Sequence, residues 1–460
     1  MKFAPFNYQE KALGHILDKQ QACLFMGCGL GKTATSLQAI CDLYDDVATK
    51  GILVVAPLRV CNLTWGSEVA KWDNFSWMRV ANLRTDAGWD ALEQSSAHIY
   101  VCNYEMLPKL QKLYLKGRRK KKYAFDTVIW DELTRAKNYK SSRIKAVREY
   151  FWRMGMRMWG LTGEPTPNSL LEIFGQILLI DGGERLGKSE KAFKERYFET
   201  TDFHGRKWKP KLYAKEAIYR KISDICLTLK TSDYLKDVPD VHIEDVEVSL
   251  GAKVMSLYEE MKEELLIEIG PDEVITAANA AVLCNKLTQI TSGSCKNEEG
   301  VSVDIHDKKI KALAGVYSKH SGPLFVICHF RREQVRIREN FPEAIFFEDA
   351  KTLEEQKKLE TEWNKGNIPM LVANPQSVGH GLNLQKGGNG ICWFTCCWSG
   401  EFYNQTNFRL YRTGQESVVI IYRLVAIGTI DEHIVETLRH KSEQQEEFLN
   451  ALEQMRLSSS

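Results

Sequence analysis

The residues best suited to chemistry form a run near the N-terminus, Met26-Gly27-Cys28-Gly29-Leu30-Gly31-Lys32-Thr33. The run meets the phosphate-loop pattern G-x-x-x-x-G-K-[ST] except at its first position, where Met26 stands in place of glycine. Glycines let successive backbone N–H groups curl around phosphate oxygens, and a helix opening at Lys32 adds the partial positive charge of its N-terminus. Gly29, Leu30 and Gly31 would form the cradle, Lys32 would reach the β- and γ-phosphates, and Thr33 would hold Mg²⁺, so the cofactors expected are ATP and Mg²⁺. A second candidate is Asp131-Glu132, which follows the apolar run Thr127–Trp130. Adjacent carboxylates at a strand end can enter one cleft, Asp131 toward the metal and Glu132 toward the attacking water. The third is Gln405-Thr406-Asn407-Phe408-Arg409-Leu410-Tyr411-Arg412-Thr413-Gly414-Gln415. There Gln405, Arg409 and Arg412 fall at i, i+4 and i+7, the spacing of one helix face. Two guanidinium groups suit a phosphoryl group that gains charge in its transition state. In isolation two such arginines are a solvated surface; the other two motifs make them candidates for catalysis.

Elements must hold these residues in place, and the apolar runs supply them in two sets. Ala22–Met26, Gly51–Ala56, His98–Cys102, Thr127–Trp130 and Met158–Leu161 are short and several stop at small or charged residues. That is the pattern of buried parallel strands with chemistry at their C-terminal ends. Leu324–Cys328, Ala344–Phe347, Pro369–Ala373, Gly390–Thr395 and Val418–Ala426 form the second set. Amphipathic stretches such as Thr33–Tyr44 lie between the runs, which predicts an α/β chain with two parallel-sheet lobes. Leu170–Lys236 and Gly251–Thr291 read mainly as helices, with Pro239 as a break. The expected division is a first lobe over residues 1–169, a mainly helical insertion and linker over 170–303, a second lobe over 304–440, and a charged helix with a frayed tail over 441–460.

Composition sets the outer limits. The 460 residues are 44% hydrophobic and 27% charged, ordinary globular values that exclude a disordered chain. Lys+Arg 62 against Asp+Glu 60 leaves a net charge of +2, so only local clusters can speak for a polyanionic partner. The twelve cysteines are scattered without C-x-x-C spacing, which disfavours a zinc ribbon and fits a reducing compartment. No secretory apolar region opens the chain and no run of 18 apolar residues suggests a membrane span, so a cytoplasmic protein without a membrane partner is expected.

Taken in order, the motifs resemble those of the Swi/Snf-type ATPases of helicase superfamily 2, from about Phe6 to about Leu438. Phe6-Asn7-Tyr8-Gln9 is similar to that family's adenine-reading Gln motif. Leu58, Trp65, Glu68, Lys71 and Trp72 sit like the segment after its second strand, and Asn103-Tyr104-Glu105-Met106-Leu107 resembles its next motif. Asp131 to Asn138 stands where the family has an acidic box ending in Lys-Asn, and Leu161-Thr162-Gly163-Glu164-Pro165-Thr166-Pro167-Asn168 is close to its Leu-Thr-Gly-Thr-Pro motif. Gly379-His380-Gly381-Leu382-Asn383-Leu384 resembles the fifth motif; Arg409, Arg412, Gly414 and Gln415 fit the sixth; Gly428-Thr429-Ile430-Asp431-Glu432 matches the segment C-terminal to the sixth. The departures are Leu133-Thr134 after the acidic pair, Phe408 and Tyr411 in place of a usual Asp and His, and Pro375 in place of Thr. The resemblance implies two RecA-like lobes with ATP in the cleft between them. The first would grip Mg·ATP through Gln9, Lys32, Thr33, Asp131 and Glu132, and the second would supply Arg409, Arg412 and the backbone of Gly379 and Gly381. Compact chains of this kind resemble those of bacteria and their phages, which places the expected cytoplasm in a bacterial or phage-infected cell.

Double-stranded DNA is the expected partner. Lys109, Lys112, Lys116, Arg118, Arg119, Lys120, Lys121 and Lys122 put eight cations in fourteen residues with no acid among them. Such a run repels itself unless water or a polyanion screens it. Arg206-Lys207-Trp208-Lys209-Pro210-Lys211 mixes cations with an aromatic that could pack on a sugar or base. The resemblance adds contacts at Arg59, Asn103 and Tyr104. The function expected is a DNA-stimulated ATP hydrolase that translocates along duplex DNA, a monomer when free. The alternatives are a strand-separating DNA or RNA helicase and, in another class, a non-hydrolysing DNA-binding scaffold, which the intact Lys32, Asp131, Glu132, Arg409 and Arg412 disfavour. Pathway, direction of travel and protein partners are not legible.

Overall fold

Parallel strands organise the chain into two compact units, Met1–Lys236 with Glu443–Ser460, and Asp237–Ser442. The structure is a computed structural model, and it describes all residues except Met1, 116–123, 167–168, 202–207, 235–239, 270–276, 298–299, 379–381, Thr413 and 459–460. The first unit runs through β1 (Gln21–Met26), β2 (Ile52–Ala56), β3 (Val80–Asn82), β4 (Ile99–Asn103), β5 (Thr127–Asp131), β6 (Arg157–Thr162), the small pair β7 (Phe198–Thr200) and β8 (Trp208–Pro210), and β9 (Cys226–Leu229). Its seven-stranded sheet has the order β3-β4-β2-β5-β6-β1-β9, and every pairing in it is parallel. The second unit holds β10 (Val241–Val248), the hairpin strands β11 (Ser294–Lys296) and β12 (Ser302–Asp304), then β13 (Leu324–Ile327), β14 (Ala344–Phe346), β15 (Met370–Ala373), β16 (Gly390–Trp393) and β17 (Val419–Ala426). Its parallel sheet has the order β10-β17-β16-β13-β15-β14. Both sets of apolar runs thus become the expected parallel strands.

Each sheet is buried on both faces. Along β1, Cys23 and Phe25 join one core while Ala22, Leu24 and Met26 join the other. Along β13, Phe325 and Ile327 face one way and Leu324 and Val326 the other. Double coverage explains why these strands read as unbroken apolar runs. The fully buried Trp130 and Trp159 each contribute roughly the 1.5–3 kcal/mol of a large apolar side chain removed from water. No disulfide joins the cysteines, and most are buried. Among the described residues no helix is long and apolar enough to cross a membrane.

Seven strands went unread in the sequence: β3, β9, β10 and the short antiparallel pairs β7–β8 and β11–β12. β3 has three residues and β9 four, too few for a periodic signal. β9 lies in a segment expected to be helical, yet it extends the first sheet by pairing with β1, Cys226 opposite Cys23. Residues 170–236 accordingly lie with the first unit, and the units part at Lys236–Asp237. β10 is a charged, largely exposed edge strand. Its register on β17 sets Asp245 opposite Arg423, and the guanidinium makes a two-pronged contact at 2.5 and 2.7 Å. Acids on an exposed edge also discourage pairing with another chain. The helices Ala252–Ile269 and Ala277–Ser292 follow the helical reading of that stretch, and the C-terminal helix spans Ile430–Ser458.

Candidate active site

The phosphate loop leaves β1 at Met26 and enters the helix Lys32–Asp45. Gly29 and Gly31 have φ of +84° and +80°, left-handed values that a side chain would penalise. Met26, at the position where the pattern has glycine, is fully buried in the core; only its carbonyl faces the loop, where it accepts from Lys32 Nζ at 2.8 Å. A second contact to Gly27 O at 3.4 Å keeps the ammonium against the loop's own backbone. Gln9, buried in the first turn of the helix Asn7–Leu17, accepts from Phe6 N at 2.9 Å and donates to Leu30 O at 3.0 Å. A Cβ on Gly31 would lie 2.6 Å from Gln9 Nε2. Gln9 therefore braces the loop, whatever else it contacts. Thr33, half-buried, is the second residue of the helix.

Asp131 ends β5 and is 6% exposed. Its Oδ2 accepts the indole N–H of the fully buried Trp65 at 3.0 Å. Burial raises the Asp131 pKa, while the Trp65 hydrogen bond and the Lys32 charge oppose the rise. Glu132 follows at φ +55°, ψ +62°, a left-handed conformation that costs a non-glycine residue about 1–3 kcal/mol and is concentrated at functional sites. The buried Tyr104 hydroxyl spans this bend, 3.0 Å from Asp131 O and 3.1 Å from Glu132 O. One hydrogen shared between two carbonyls holds the turn that carries both carboxylates. Gly163 closes the site from β6: a Cβ there would lie 3.2 Å from Met26 O and 3.6 Å from Lys32 Nζ. Among the described residues no group of three or more His, Cys, Asp or Glu could hold a metal. Mg²⁺ keeps waters and phosphate oxygens and takes one or two protein ligands; the Asp131 carboxylate and the Thr33 hydroxyl are groups of that kind.

Several expectations change. Tyr104 was expected at DNA, but it is 1% exposed with its hydroxyl engaged on the Asp131–Glu132 backbone; it positions the carboxylates instead. Asn103 is 6% exposed, and its amide donates to Glu105 Oε2 at 2.6 Å. Arg59, near the start of the helix Leu58–Lys71, is half-buried. Lys116, Arg118, Arg119, Lys120, Lys121 and Lys122 lie outside the described residues, as do Arg206 and Lys207. Of the second cluster, Trp208 to Pro210 form β8, Lys209 pairs with Glu199 at 3.0 Å, and Lys211 donates to Glu195 O at 2.7 Å.

In the second unit the helix face expected to carry Gln405, Arg409 and Arg412 does not exist. The helix Gly400–Asn407 stops before either arginine. Asn407 spends its side chain on the Trp393 indole at 2.9 Å, and the chain then turns toward Gly414 at φ +90°. The turn still gathers the arginines. Arg409 donates to Gln405 O at 3.0 Å and to Leu382 O at 3.1 Å, and Arg412 donates to Asn383 Oδ1 at 2.6 Å. Both guanidinium groups thus hold Leu382-Asn383, the continuation of Gly379-His380-Gly381, whose three residues are outside the described set. Phe408 and Tyr411 stack beside them with ring centroids 5.6 Å apart. The roles of Trp65 and Tyr104 were not legible beforehand, because an indole or phenol that buries its polar tip against a distant carboxylate or carbonyl leaves no spacing signal.

Comparison with known proteins gives this geometry a context. The SNF2-related domain matches residues 8–309. Protein p41 of Acyrthosiphon pisum secondary endosymbiont phage 1 is 34% identical over 98% of this chain and 99% of its own. An uncharacterized ATP-dependent helicase of Mycoplasma pneumoniae is 26% identical over 95% of this chain and 41% of its own, so the chain spans about two fifths of that relative. The DNA repair and recombination protein RAD54-like of Danio rerio is 24% identical over 93% of this chain and 64% of its own.

Proposed function

The chain belongs to the SNF2-related family, a family of ATPases, and from that premise we propose that it hydrolyses Mg·ATP to move along duplex DNA. The observation that carries the reading is Lys32, seated on the phosphate-loop carbonyls of Met26 and Gly27 and close enough to the buried Asp131 to stabilise its charge. In this proposal Lys32 leaves those carbonyls for the β- and γ-phosphates, and the N–H groups of Gly29, Leu30 and Gly31 receive phosphate oxygens. Thr33 and Asp131 hold Mg²⁺, which neutralises phosphate charge. Glu132, presented by its left-handed backbone, orients the water that attacks the γ-phosphorus. Gln9 reads adenine with the amide hydrogen left over from its bond to Leu30. Arg409 and Arg412 act on the phosphoryl group as it gains transition-state charge, with backbone from Gly379 and Gly381.

Duplex DNA is proposed as the track, contacted through Arg59 and the cluster Lys116 to Lys122. The name of the Danio rerio relative, a DNA repair and recombination protein, supports DNA as the substrate. Stepping needs alternating phosphate grips, whereas strand separation must also overcome about 1.4 kcal/mol of stacking per base-pair step. The test measures ATP turnover with and without duplex DNA, then displacement of a third strand and of a fork arm. Duplex stimulation with triplex displacement and a largely intact fork is expected, and Lys32→Ala should abolish turnover while DNA binding persists. Fast fork unwinding would establish the helicase reading that the Mycoplasma relative's name suggests; normal turnover by Lys32→Ala would overturn the site.

A further inference from the structure

We propose that Gln176 is a positioning residue for ATP hydrolysis, acting through the two segments that flank the phosphate loop. The inference rests on the site assigned above. The helix Glu172–Asp181 is apolar and buried from Ile173 onward, yet carries Gln176 at 0% exposure. Burying a primary amide in such a helix costs free energy unless it is hydrogen-bonded. Gln176 Nε2 donates to Pro165 O at 2.6 Å and to Glu172 O at 3.1 Å. Both partners are carbonyls, so the amide nitrogen must face them and the orientation of the side chain is unambiguous. Oε1 is buried with no partner among the described residues.

Pro165 belongs to the segment leaving β6, two residues after Gly163, which lies against Met26 O, Cys28 N and Lys32 Nζ of the phosphate loop. The same helical turn grips the other flank. A Cβ on Gly175 would lie 2.2 Å from Lys137 O, and Lys137 Nζ pairs with Glu172 Oε1 at 2.8 Å. Lys137 ends the turn that descends from Asp131-Glu132, whose Leu133 packs over Gly160 of β6. Glu172, Gly175 and Gln176 thus tie the segment around Gly163 to the segment after Glu132 through one helical turn. Gln176 is the member whose only inter-segment bond goes to the Gly163 side. Without it that segment would be free to shift against Lys32, and the phosphate grip and the Glu132 carboxylate would lose their relative register.

The test replaces the amide without removing its bulk. Gln176→Leu and Gln176→Met should fold with a melting temperature within a few degrees of wild type, since the orphaned Oε1 goes with the amide while Pro165 O loses its donor. Their kcat should fall about 10-fold to 100-fold with KM for ATP within about twofold, because register rather than binding is lost. Gln176→Glu should recover activity relative to wild type as pH is lowered from 8 to 6, because the protonated acid regains a donor for Pro165 O and burial favours that neutral form. A purely packing role would not move that profile. Wild-type kcat in the Leu variant, a loss confined to KM, a flat pH profile for the Glu variant, or unfolding of both apolar variants would each overturn the proposal. Lys32→Ala assayed alongside separates the cases: if it is inactive while Gln176→Leu is fully active, only the role of Gln176 fails, and if it turns over normally the site itself is wrong.

Discussion

At Asp131 burial disfavours the ionised carboxyl while the Trp65 indole and the Lys32 ammonium favour it. The indole also fixes which oxygen remains for other partners, since Oδ2 is taken at 3.0 Å. Trp65→Phe keeps most of the bulk and removes the N–H. The Mg²⁺ concentration that half-saturates turnover should then rise about 10-fold to 100-fold, the usual cost of losing a partner behind a metal ligand. A Mg²⁺ titration at fixed ATP checks this, and an unchanged midpoint would reduce Trp65 to packing. Tyr104 belongs to the same layer. Its hydroxyl secures the left-handed Glu132, which explains why a residue that motif resemblance would assign to DNA is buried.

His306 shows the second unit holding a joint between elements in one protonation state. It links β12 to the helix Lys308–Lys319. Nε2 lies 2.9 Å from Ile290 O and Nδ1 accepts from Lys308 N at 3.2 Å, so the neutral ring with its proton on Nε2 satisfies both neighbours. Burial, with Arg336 and Lys309 nearby, pushes its pKa down to about 4 from 6.5. The unfolded chain therefore takes up a proton as pH falls through 6.5, whereas the folded chain resists until about 4, and stability is lost across that window. Chemical denaturation between pH 7 and 4.5 should show a falling midpoint, and His306→Gln should flatten that part of the slope. An identical pH dependence in the variant would show that other groups set it. The buried Lys309–Asp431 pair at 2.7 Å and Glu333, which accepts from Thr395 at 2.7 Å, are further buried polar contacts of this unit.

For the whole molecule, a net charge of +2 means that affinity for a polyanion must come from local density. Replacing Arg118, Arg119, Lys120, Lys121 and Lys122 with Gln should leave basal hydrolysis unchanged and weaken duplex binding. The slope of log K against log salt should shrink by up to about 0.9 per lost phosphate contact. Binding isotherms at several salt concentrations decide it; an unchanged slope would make the cluster a solvated surface.

The sheets and the identity of the chemical groups are legible in the amino-acid order alone. Doubly buried parallel strands must be apolar throughout, and a phosphate loop must carry glycine, lysine and a hydroxyl in strict order, so both leave a local record. The features left open depend on distant partners. β9 and β10 are too short or too charged to stand out, and they exist as strands because β1 and β17 offer them a ladder. The helix that seemed to present Arg409 and Arg412 ends at Asn407, whose side chain meets the Trp393 indole, a tertiary bond that no spacing rule contains. Tyr104, Trp65 and Gln176 take their roles from contacts 27, 66 and 11 residues away along the chain. Local periodicity reports which face of an element is buried; which polar atom a buried side chain meets is decided only when the elements pack.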